Sequence, residues 1–105
     1  MLSYLPENAK TAAYTLAAAD TGRLITITTG GITVPASVFS VGQVVTIYNK
    51  SGSNQTITQG SGVTLRQAGT ANTGNRTLAQ YGIATVICIS GTEFVISGRM
   101  RRMKK

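Results

Sequence analysis

The chain has no histidine and no tryptophan, one cysteine, two prolines and three acidic residues among its 105 positions. Each shortage removes a class of function. Without histidine, and with carboxylates only at Glu7, Asp20 and Glu93, the chain has no means of building a Ser-His-Asp or Cys-His site, a standard zinc site or a close carboxylate pair. An enzyme is therefore not expected, nor a cofactor, a metal or a small-molecule substrate. The lone thiol, Cys88, excludes an internal disulfide. Sugar sites usually offer a stacked tryptophan, and there is none. No apolar run approaches the roughly 18 residues of a membrane helix. The opening Met1-Leu2-Ser3-Tyr4-Leu5-Pro6-Glu7 lacks the basic start and apolar middle of a secretory signal, so synthesis in the cytoplasm and a reduced thiol are expected. No glycine cluster is followed by a helical pattern, which removes the Gly-rich phosphate loop.

What is present is alternation, threonine and glycine. In residues 43–49 the run Val44-Val45-Thr46-Ile47-Tyr48 fits a half-buried pleated surface with Val45 and Ile47 on one face. The turn-forming Asn49-Lys50-Ser51-Gly52-Ser53-Asn54 predicts a reversal into a strand at 55–59. A second hairpin is predicted from residues 24–28 and 32–34 around Thr29-Gly30-Gly31, with Pro35 ending the ladder. The two regions look alike: Thr26-Ile27-Thr28-Thr29-Gly30 matches Thr56-Ile57-Thr58-Gln59-Gly60. Two copies are too few for a solenoid and read as equivalent hairpins in one domain.

Shorter strands are expected at 14–16, 63–65 and 76–80. Residues 83–90, the most apolar strand, should be central, with either Val86 and Cys88 or Ile87 and Ile89 facing the core, and a tight reversal should lead into Phe94-Val95-Ile96-Ser97. Phe39 is expected to plug one end of the core, Cys88 to be a buried, inert thiol, and Asp20 to bond the backbone of its own turn. Residues 67–75 form a polar surface loop of the kind that carries contacts. The fold expected is all-β: an antiparallel β-sandwich or small barrel of about seven to nine short strands over residues 14–98, between an N-terminal arm at 1–13 and a basic tail at 99–105.

The net charge of +7 is concentrated, because five of the ten basic residues, Arg99, Arg101, Arg102, Lys104 and Lys105, end the chain. Such a block reads as a solvated end, a contact for an acidic protein surface, or a nucleic-acid contact. Single-strand binders interleave aromatic and basic residues, whereas Tyr4, Tyr14, Phe39, Tyr48, Tyr81 and Phe94 stand far apart. Nucleic acid is accordingly the third choice of partner.

The ordered series Tyr14-Thr15-Leu16, Asp20-Thr21-Gly22, Thr33-Val34-Pro35, Phe39-Ser40-Val41-Gly42, Val45-Thr46-Ile47-Tyr48-Asn49, Gly62-Val63-Thr64-Leu65 and Phe94-Val95-Ile96-Ser97-Gly98 resembles a β module of tailed-bacteriophage virion proteins over residues 14–98. It departs at Phe94, where the module often carries tryptophan. The resemblance implies a structural, commonly trimeric part of a phage particle, either a capsid decoration (cement) protein or a tail-fibre module. A module standing nearly alone between short arms points to decoration, with the major capsid protein of the head as partner and the capsid surface as location. The shell contacts expected are Arg99, Met100, Arg101, Arg102, Met103, Lys104 and Lys105 in the tail, and Leu2, Tyr4 and Leu5 in the N-terminal arm. The alternative is a tail-fibre module whose loop at 67–75 touches a host protein or glycan.

Overall fold

The computed structural model describes residues 5–98 of the chain. They form ten strands and one turn of 3-10 helix. The strands are β1 (Glu7–Lys10), β2 (Tyr14–Thr15), β3 (Leu24–Ile27), β4 (Ile32–Val34), β5 (Val44–Asn49), β6 (Gln55–Gln59), β7 (Thr64–Gln67), β8 (Arg76–Leu78), β9 (Ile83–Cys88) and β10 (Glu93–Gly98); the helical turn is Ala18–Asp20. A six-stranded sheet has the order β1-β3-β5-β9-β10-β7, and a four-stranded sheet the order β2-β4-β6-β8. The inward side chains of both belong to one apolar cluster, which includes Ile25, Ile47, Val86 and Phe94 from the larger sheet and Ile32, Ile57 and Leu78 from the smaller.

The fold is all-β, but the sheets are mixed where antiparallel ladders were expected. Five of the eight strand pairings are parallel: β1 with β3, β3 with β5, β2 with β4, β4 with β6, and β7 with β10. From β1 to β6 the chain changes sheet at every step, so successive strands face each other across the core and strands two apart pair side by side. The result is a parallel coil, with Glu7, Leu24 and Thr46 in register in one sheet and Tyr14, Ile32 and Ile57 in the other. The second half of the chain closes it: β8 runs antiparallel to β6, and β9 antiparallel to β5.

The predicted hairpins at 24–34 and 43–59 are therefore corners, with β3 and β4, like β5 and β6, in different sheets. Buried amide side chains explain this. Asn49 donates from Nδ2 to the carbonyls of Leu78 and Ser53, at 3.2 and 2.7 Å, and Gln55 accepts from Gly31 N–H at 3.1 Å while donating to Thr28 O at 3.0 Å. They satisfy corner backbone groups that a hairpin would have paired across its own ladder. Gly31 is left-handed (φ 74°), and a Cβ there would lie 2.5 Å from Thr56 O, so the corners stack only because this one has no side chain. The matched Thr-Ile-Thr segments are consequently not equivalent, because β3 lies in one sheet and β6 in the other.

Three further placements matter. Residues 7–10, read from sequence as part of an arm, are the edge strand β1. Strand β9 sits between β5 and β10 with Ala84, Val86 and Cys88 buried, and β9 with β10 is the one predicted hairpin that forms as such. Phe39 is buried against Phe94 edge to face, with ring centroids 6.0 Å apart.

Candidate assembly interface

Of the residues expected to touch a shell, Leu2, Tyr4 and the tail from Arg99 to Lys105 lie outside the described residues. Leu5 is described, and it is exposed just ahead of β1. The loop at 67–75 folds back on the edge of β7: Gln67 N–H donates to Asn72 O, Gly74 N–H donates to Leu65 O, both at 3.0 Å, and Arg66 bridges to Thr73. Its backbone thus caps a sheet edge that would otherwise be free.

The surface that sequence reasoning missed is the outer face of the six-stranded sheet. Side chains alternate along a strand, so the inward set Val45, Ile47, Ala84, Val86, Cys88, Phe94 and Ile96 fixes the outward set. Registers place Val44, Ile87 and Val95 in one outward row, Leu24, Thr46, Thr85 and Ser97 in the next, and Thr26, Tyr48 and Ile83 in a third. Ile83 is 53% exposed and Ile89 43% exposed. Charge is confined to the borders. Glu7 is outward on β1, where its Oε2 accepts from Thr26 Oγ1 at 2.7 Å, and Arg66 and Glu93 lie 3.8 Å apart at the β7 side. The outer face of the four-stranded sheet is different in kind: Thr15, Thr33 and Thr58 form one row, and Thr56 pairs with Thr77. Threonine suits a solvated β surface; the larger sheet adds to its own threonines a half-buried row of Val44, Ile87 and Val95 and the exposed Ile83 and Ile89. The signal was present in residues 83–89, where the outward phase carries Ile83, Ile87 and Ile89 beside Thr85 while the inward phase is apolar throughout.

A polar cluster holds the first turn of the coil. Asp20, 1% exposed, accepts from Tyr14 Oη at 2.6 Å, Ala17 N–H at 2.8 Å and Asn8 Nδ2 at 3.0 Å. Burial alone raises its pKa, but these bonds and the Arg23 charge outweigh it, and the carboxyl is held below its ordinary value of 3.8. Burial, then the bond to Asp20, pushes Tyr14 above 10.0. The cluster ties β1, β2 and the helical turn together, with Lys10 Nζ 4.3 Å from the Tyr14 ring centroid. Every carboxylate oxygen of Asp20 faces a donor of its own chain, which suits a structural part.

Cys88 is buried, its thiol donating to Ser90 O at 3.0 Å, and burial raises its pKa. Among the described residues no three His, Cys, Asp or Glu side chains gather as a metal site, and no helix is long and apolar enough to cross a membrane. The molecule so described is a mixed two-sheet β domain with one thinly charged outer face of mixed threonine and aliphatic residues. Comparison with protein-family models, curated proteins and solved structures finds no match to this chain.

Proposed function

We propose that the protein is a non-enzymatic virion component, a capsid decoration protein that binds across neighbouring subunits of a phage head. The observation that carries the reading is the outer face of the six-stranded sheet, where Val44, Ile87, Val95, Tyr48 and Ile83 stand among threonines and charge lies at the borders. A face of this kind is suited to assembly. The resemblance over residues 14–98 supplies the particle, and the major capsid protein is the partner it names. Attachment by several short contacts suits such a protein, because contacts made after the first are effectively intramolecular. The tail-fibre alternative relies on the loop at 67–75, whose backbone is already engaged on β7.

The test is to separate intact phage heads from tails and probe both with an antibody to this chain. Signal on heads is expected. Signal confined to tails, or absent from both, would overturn the reading, and retention on DNA that vanishes with rising salt would replace it with the nucleic-acid one.

A further inference from the structure

We infer that the domain docks on an acidic protein surface by the side on which strands β1, β5 and β10 end, with the side that carries its carboxylates turned away. The inference rests on the decoration reading for the identity of that surface, a shell subunit. It adds which side of the domain meets the shell and which body residues do so.

The topology sorts the charges. Strands β1, β3, β5, β7 and β10 run in one direction across the larger sheet: β1, β3 and β5 pair in parallel, β7 pairs in parallel with β10, and β9 is antiparallel to both β5 and β10. Glu7 opens β1, Glu93 opens β10, and Asp20 lies in the crossover that leads into β3. All three carboxylates are thus on the side where these strands begin. Lys10 closes β1, Lys50 follows the last residue of β5, and the chain continues into Arg99 to Lys105 from Gly98, the last residue of β10. The tail therefore starts from the side that carries both lysines. Those two lysines and the five basic residues of the tail are seven of the ten in the chain.

That side is a stack of corners. Lys10 O accepts from Thr28 N–H at 3.1 Å, Ile27 O from Lys50 N–H at 2.9 Å and Ser51 O from Tyr81 N–H at 3.2 Å, which gathers the corners after β1, β3, β5 and β8. Residues 11–13, 28–31, 50–54 and 79–82 include no carboxylate. Lys50 is exposed, and Lys10 is half-buried with Nζ over the Tyr14 ring. The side adjoins the outer face of the larger sheet at the row of Thr26, Tyr48 and Ile83. The three remaining cations are engaged by their own chain: Arg23 Nη2 donates to Glu7 O at 3.2 Å, Arg66 Nη1 to Ala71 O at 3.1 Å and Arg76 Nη1 to Gln67 Oε1 at 3.0 Å.

Charge and ring placement select the occupant. A side with several positive charges and no carboxylate attracts a partner carrying several negative ones. A single-stranded nucleic acid stacks successive bases on successive rings, and among the described residues this side exposes one ring freely, Tyr81 at 61%. The Tyr14 ring lies under Lys10, and Tyr48 is half-buried. Carboxylates scattered over a folded protein need no succession of rings. Lysines on separate corners meet them singly, and tail arginines grip them bidentately.

Two pairs of substitutions of equal net charge test this. Lys10→Gln with Lys50→Gln, and Val41→Glu with Thr92→Glu on the opposite, exposed corners, each lower the net charge by two. Pelleting of the full chain with bare heads, and its retention on immobilised polyglutamate, should weaken about three- to tenfold for the lysine pair and change less than about twofold for the other. Thermal melts check each variant, and Lys50→Gln alone serves if the loss of Lys10 lowers the melting temperature. Equal weakening by both pairs, or none by the lysine substitutions, would overturn the inference. So would binding to a single-stranded oligonucleotide that Tyr81→Ala weakens more than about tenfold, which would assign the side to nucleic acid. The two readings fail separately: lysine-dependent retention on polyglutamate without binding to heads sinks only the decoration reading, and heads bound without regard to Lys10 and Lys50 sink only this inference.

Discussion

Tyr14 donates its hydroxyl to Asp20 Oδ2 over 2.6 Å, and this contact joins β2 to the helical turn that carries the chain back toward the six-stranded sheet. Asp20 is buried, with a donor of its own chain on each carboxylate oxygen. It closes the first turn of the coil by collecting donors from Asn8, Tyr14 and Ala17.

Asp20→Ala should destabilise the domain by about 2–4 kcal/mol, because it strands buried donors as well as removing their bonds. Tyr14→Phe removes one bond and should cost about 1 kcal/mol. Urea unfolding measures both, and equal losses in the two variants would contradict the cluster as described.

The same pair sets the pH limits of stability. The folded Asp20 pKa is depressed, so its contribution is complete above the unfolded value near 3.8 and is lost as the pH falls through the folded one. The folded Tyr14 pKa is raised, so its contribution is complete below the unfolded value of 10.0 and is lost as the pH rises through the folded one. Unfolding followed across pH should show a plateau between these limits, and Asp20→Asn should flatten the acid limb.

Gly31 and Gly62 both have left-handed backbones, at φ 74° and 79°, but only at Gly31 would a Cβ meet backbone, Thr56 O at 2.5 Å, whereas at Gly62 nothing lies within 4 Å. Gly62→Ala should cost about 1–2 kcal/mol from backbone strain alone. Gly31→Ala should cost clearly more, because a stacked corner must shift as well. Thermal melts of the two variants compare them directly.

Cys88 is 1% exposed with its pKa raised by burial, so a thiol reagent should modify the native protein at least about a hundredfold more slowly than the urea-unfolded chain. Rapid labelling of the folded protein would show that β9 opens locally.

Deleting residues 99–105 removes five basic side chains, each worth about 0–1 kcal/mol in an exposed ion pair. The truncated chain should keep its melting behaviour and bind bare heads more weakly, and raising salt should weaken the intact protein in the same way. Equal decoration by both chains at every salt concentration would place attachment elsewhere.

Strand positions were legible because the side-chain period of two is local. Val45 and Ile47 go inward and Thr46 outward whatever the strand pairs with, and the positions of β3 to β6, β9 and β10 follow from such runs. The turn role of Asp20 and the burial of Cys88 and Phe39 were equally local readings.

What only the tertiary structure decided is which strand lies beside which. Inward Ile25, Ile27, Ile32 and Val34 satisfy the same alternation in a hairpin, where they lie side by side, and in a coil, where they face each other across the core. Long-range bonds decide between the two, such as Gln55 Oε1 to Gly31 N–H, 24 positions apart, and Asn49 Nδ2 to Leu78 O, 29 apart. The outward face was hidden for the same reason. Ile87 acquires neighbours in Val44 and Val95 only when β9 is inserted between β5 and β10, so the sequence determined which residues form strands, and three-dimensional pairing alone gathered their scattered outward aliphatic side chains into one row.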